Sequence, residues 1–190
     1  MGLSSAKHNV EISTKTLVIA FTAVTLLISP AFAQSVGEKT GINAMIGAAP
    51  STQDFVTQTA VSDMFEIESS KLAQANAAND KTKAFAAKMV KDHTTTSTEL
   101  KALLSGGKVK AEVPAAMDSS HKSKIEKLQG LKGTDFDKQY NSEQETAHEN
   151  AVSLFERYSK GGDNADLKAF AAKHLPHLQE HLKMAEDLNK

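Results

Sequence analysis

The chain has 190 residues, enough for one domain of ordinary size, and sets 22 basic residues against 23 acidic ones. That balance carries no footprint for nucleic acid or an anionic membrane surface. Cysteine is absent, which excludes disulfides, thiolate metal sites and a lipidated cysteine, and Ala6 stands where myristoylation needs Ser or Thr.

Residues 1–33 read as a signal peptide. Lys7 and Lys15 precede an apolar run from Thr16 to Ser29, too short to span a bilayer comfortably. Ala31-Phe32-Ala33 then has the small-x-small form of a cleavage site. Cleavage before Gln34 would leave a periplasmic or secreted chain with no stable membrane span. The long start before the apolar run keeps an uncleaved anchor as the alternative. Residues 34–50 are small and polar and read as a flexible leader.

The domain expected over 51–190 is all-α. Ser51 and Asp54 have capping-box spacing, so a first helix should run to about Ala77. Phe55, Ser62, Phe65, Ser69 and Leu72 mark its inner stripe, with Glu66 beside it. Asn79 caps a second helix to about Leu104, whose stripe is Phe85, Met89, His93, Thr96, Leu100 and Leu103, with Asp92 at the edge. Gly106-Gly107 ends it, and a short helix is expected over 118–129. Thr134 with Asp137 reads as the cap of a third long helix reaching about Lys160, with Phe136, Tyr140, Gln144, His148, Ala151, Phe155 and Tyr158 inward. After Gly161-Gly162 the fourth helix, to Leu188, puts Leu167, Phe170, His174, His177, His181, Met184 and Leu188 on one stripe. Pro176 lies inside it and predicts a kink that either aims the histidines or is simply tolerated.

Short joins make antiparallel neighbours, whereas about 29 residues between helices two and three are enough to traverse a bundle. The expected fold is a ferritin-like four-helix bundle, two antiparallel hairpins joined by a long crossover with a short extra helix. The hexamer Lys83-Ala-Phe-Ala-Ala-Lys88 recurs as Lys168–Lys173, each time opening the second helix of a hairpin. That suggests two related halves.

Counted from the tight turns, Glu66, His93, His148 and His177 each fall roughly 20 Å along their helices. One layer at mid-height could therefore gather them, with His181 a turn from His177. Glu145 and His148 also have Glu-x-x-His spacing. The candidate metal-ligating set is Glu66, Asp92, His93, Glu145, His148, His177 and His181. Imidazole suits Zn, Cu, Ni or Fe, and a carboxylate neutralises charge. A di-iron centre wants more carboxylates and a second inward Glu-x-x-His, so one Zn, Fe or Cu ion fits better. A metal-free layer of Glu–His hydrogen bonds that fixes bundle register is equally physical. No Gly-x-Ser-x-Gly elbow, phosphate loop or dinucleotide fingerprint occurs, so the pattern names no reaction and favours a non-enzyme. It allows a homo-oligomer and names no protein partner.

Phe65-Glu66-Ile67, the run from Lys83 to His93, Phe136-Asp137-x-x-Tyr140, His148, and Leu175-Pro176 followed by His181-Leu182 together resemble an exported bacterial family. That family is known as a domain of unknown function and described as ferritin-like. The resemblance covers about Thr52 to Leu188. It implies a helical bundle outside the cytoplasm with no established activity, and polar positions at Glu66, Asp92, His93, His148 and His181. His174 and His177 are additional here. The functional expectation is metal or oxidative-stress handling. The alternative is a non-catalytic envelope stress or interaction bundle whose polar layer is only structural.

Overall fold

The computed structural model describes Met1, Ser35 and residues 42–107 and 109–190. The chain divides into two units, Met1–Pro30 and Ala31–Lys190. The expected signal peptide lies outside the described residues apart from Met1, and the account below concerns the second unit.

Its elements are α1 (Ile42–Met45), α2 (Thr52–Asn76), α3 (Asp80–Ser105), α4 (Ser119–Gln129), α5 (Gly133–Gly161) and α6 (Ala165–Leu188). No strand occurs among the described residues; Ala77 and Gly133 form an isolated bridge. None of the described helices is long and apolar enough to cross a membrane. In the stretch expected to be a leader, α1 forms one turn, Ala48 O accepts from Arg157 (2.7 Å) and Pro50 is buried. That end of it is docked on the bundle.

Side-chain caps explain where three of the long helices start. Ser51 Oγ accepts from Asp54 N (3.1 Å), Asn79 Oδ1 from Lys81 N (2.9 Å) and Asn164 Oδ1 from Leu167 N (3.0 Å). α5 departs from expectation. Its N-cap is Lys132, without a side-chain bond, and Gly133 turns the chain at φ +64. Asp137 does not cap its own helix. Its carboxylate accepts from Ala78 N (3.2 Å) and Asn79 N (3.0 Å), because the exposed amides of the α2–α3 turn lie beside it.

The pairings fix directions. Thr52 meets Tyr158 and Ser70 meets Tyr140, so α2 and α5 are antiparallel. Asp92 meets His181 and Glu99 meets His174, so α3 and α6 are too. With both hairpins antiparallel, the order is up-down-down-up, and residues 106–132, carrying α4, return along the bundle. α4 lies on α2 and α5.

The apolar core is in two parts. The lower one, around Phe55, Phe155, Tyr158 and Phe170, holds the opening of α2 and the α5–α6 turn. The upper one, around Phe85, Met89, Phe136 and Tyr140, holds the α2–α3 turn. The two copies of the hexamer serve opposite ends: Phe85 and Ala86 pack in the upper cluster, Phe170 and Ala171 in the lower. Between them lies a buried polar layer.

The stripes on α3 and α5 follow the expected spacing, apart from Leu103, which is only half-buried. On α2, Ser62 and Leu72 are only half-buried, while Asp63, Glu66 and Ser70 are buried. α2 is covered by α3, α4 and α5 together, so it has no single inner stripe to read. α6 buries Leu167, Phe170, Ala171, His174, Leu178, His181 and Ala185, mostly a three-four alternation that leaves His177 outside.

Candidate metal centre

Three buried imidazoles occupy the middle of the bundle: His93 from α3, His148 from α5 and His181 from α6. Their ring centroids are 5.4–5.7 Å apart. One ligand atom from each lies within 4.8 Å of the others.

The outward nitrogen of each ring is held. His93 Nδ1 meets Asp63 Oδ1 (2.8 Å), His148 Nδ1 meets the Gln144 carbonyl oxygen (2.8 Å), and His181 Nε2 meets Asp92 Oδ2 (2.9 Å). A carbonyl or carboxylate only accepts, so in each neutral ring the proton sits on that outer nitrogen. The other nitrogens, His93 Nε2, His148 Nε2 and His181 Nδ1, are buried with no hydrogen-bond partner. Three lone pairs thus go unanswered in one layer, where an unmet buried acceptor costs ~1–3 kcal/mol.

This donor set fits a transition-metal ion. Bonds of ~2.0–2.1 Å would bring three nitrogens to about 3.5 Å from one another, so a gap bounded by 4.8 Å closes with small ring movements. The outer acceptors are the carboxylate and carbonyl partners that orient ligating histidines.

Electrostatics keep two of the lone pairs free. Burial, with the charge of His93, pushes His148 down to about 3 and His181 down to about 4. Burial pulls on His93 in the same sense. The Asp63 hydrogen bond and charge, aided by Glu66 and Asp92, outweigh it and raise His93 above its ordinary value. Asp63 is itself raised by burial. When His93 is charged its second proton sits on Nε2, the nitrogen facing the layer, and that is the proton an arriving cation must displace.

Glu66 is buried on α2 close to this layer, one turn on from Asp63, and neither carboxylate oxygen has a hydrogen-bond partner. The nearby Gln144 amide donates to Ser69 Oγ (3.4 Å). Burial pushes Glu66 up to about 7, against the pull of His93 and Gln144.

Of the residues singled out from the sequence, the structure brings His93, His148 and His181 together. Glu66 lies buried nearby, outside that group of mutually close ligand atoms. Asp92 stands behind His181. His177 is exposed, and Glu145 is half-buried, its Oε2 taken by Asn189 (2.6 Å). His181, four residues beyond His177, is the α6 member of the layer. Asp63 was missed because the expected α2 stripe ran through Ser62. Its signal was in the sequence: Asp63 and Glu66 are spaced to share a face.

Residues 38–188 match the domain of unknown function DUF4142. The chain belongs to that family. The DUF4142 match takes in all five of α2 to α6 and every residue of the layer. No curated protein matches the chain. A solved structure, CopM in the Cu(II)-bound form, shares the fold, with a TM-score of 0.62 over 74% of this chain and 97% of that one, at 16% identity.

Proposed function

We propose that this DUF4142 protein is an exported, ferritin-like bundle that holds one transition-metal ion on His93, His148 and His181, in metal or oxidative-stress handling. The observation carrying the reading is the convergence of three buried, unpartnered imidazole nitrogens whose opposite nitrogens are all anchored. A layer serving only to set register would be expected to satisfy itself, as hydrogen-bonded polar networks do. Three imidazoles without thiolate suit Cu or Zn ahead of Fe. Copper is the first ion to try, because a similarly folded protein, CopM, has been solved with Cu(II) bound. The ion would supply a positive charge and open coordination sites. The chain supplies fixed lone pairs, carboxylates behind two of them, and a water-poor interior. Nothing in the layer assigns a reaction, and a binding or carrier role is the function supported.

The test is metal analysis and calorimetric titration of untagged protein with Cu(II), Zn(II) and Fe(II). One ion per chain, with a raised melting temperature, is expected. No stoichiometric binding of any of the three would return the layer to a structural role.

A further inference from the structure

A cavity of about 220 Å³ opens along the seam between α3 and α6 and is lined at its inner end by His93 and His181. Its outer rim includes exposed His177 and Thr95. On the opposite side, buried Asp63, Glu66 and Gln144 line the α2 and α5 walls of the layer.

The seam is built from one device used twice. Asp92 Oδ2 accepts from Lys88 Nζ (2.9 Å) and from His181 Nε2 (2.9 Å). Seven residues on, about 10.5 Å along α3, Glu99 Oε2 accepts from Lys173 Nζ (2.7 Å) and from His174 Nε2 (2.9 Å). Each carboxylate is shared between an ammonium group at the surface and an imidazole. His177 stands between the two rungs, three residues after His174 and four before His181, so α6 presents imidazoles about one turn apart along the seam.

We propose that the metal ion reaches and leaves the three-imidazole site through this α3–α6 seam, with His177 as the exposed first contact and Asp92 as the carboxylate that passes it inward. The proposal rests on the ligand reading of His93, His148 and His181. A divalent cation at the rim can replace the Lys88 ammonium on Asp92. Asp92 already touches His181, whose other nitrogen belongs to the site, so the step inward is one ring deep. The described group of mutually close ligand atoms is the buried trio, and His177 and Glu99 are not in it.

The chain has no cysteine, so a single introduced thiol can be labelled cleanly. Thr95→Cys places it on the rim, and Ser142→Cys places it on an exposed position of α5 as a control. Each variant is labelled with a bulky maleimide, checked for retained helicity, and mixed rapidly with Cu(II), following its visible absorption. The label at Thr95→Cys should slow uptake by about tenfold or more and slow release to a chelator similarly, leaving one ion per chain at equilibrium. The label at Ser142→Cys should change neither rate. His177→Ala, unlabelled, should slow uptake without altering stoichiometry. Unchanged rates with the rim blocked would overturn the route while leaving the site intact. Failure of the unmodified protein to bind Cu(II) at all would overturn the site and the route with it.

Discussion

The lower core and the middle layer of the bundle treat buried polar groups in opposite ways. At the lower end, the Tyr158 ring stacks on Phe55 at 4.0 Å, and its hydroxyl is paired with Thr52 Oγ1 (2.5 Å) and donates to Asp163 (3.2 Å). The Tyr158 hydroxyl thus leaves the aromatic cluster with partners. At mid-height, His93, His148, His181 and Glu66 all keep buried atoms without any. The lower core is organised for stability. The middle layer gathers unpartnered buried atoms from α2, α3, α5 and α6, and the proposed metal site rests on that concentration.

The sharpest way to break the contrast is to remove one inward imidazole. His148→Ala should abolish stoichiometric Cu(II) binding in equilibrium dialysis while the far-UV circular dichroism remains helical. Full retention of the ion would mean that His148 is no ligand. The converse substitution, Phe55→Ala, should cost roughly 3–5 kcal/mol in urea unfolding yet leave one ion per folded chain. If it emptied the site instead, the two regions would be one cooperative unit.

Asp63→Asn tests the anchoring of the layer. It removes the charge behind His93 and should weaken metal affinity by about 10–100-fold in chelator competition. An unchanged affinity would make Asp63 a bystander.

The smallest effect expected is on the pH dependence of metal-free stability. His148 and His181 are depressed to about 3 and about 4, so the unfolded chain binds the extra protons first. Their contribution is present above their ordinary value near 6.5 and drains as pH falls through about 4 and then 3. Glu66 is raised to about 7, so its contribution is present below its ordinary value of 4.5 and is lost as pH rises through 7. The urea midpoint of the metal-free protein should therefore peak between about pH 5 and 7. A midpoint still climbing at pH 9 would show that Glu66 is not held in this way.

Helical periodicity, caps and connection lengths made the all-α architecture and most helix limits legible in the sequence, because those signals are local. Ser51 and Asn79 act within one turn of their own positions, and the stripes of α3 and α5 each face one interior. The mid-height placement of His93 and His148 followed from counting residues at a constant rise. The sequence did not decide which α6 histidine completes the layer: His177 and His181 are one turn apart on nearby faces, and only the packing of α6 on α3 and α5 turned His181 inward. Nor did it single out Asp63, whose spacing to Glu66 was legible but whose helix, buried on several sides, offers no one stripe to mark the inner face, or the reach of Asp137 to the α2–α3 turn. Those contacts join residues distant in the chain, and an unmet lone pair is a property of all its neighbours at once. Tertiary packing alone turned a scatter of histidines into a single site.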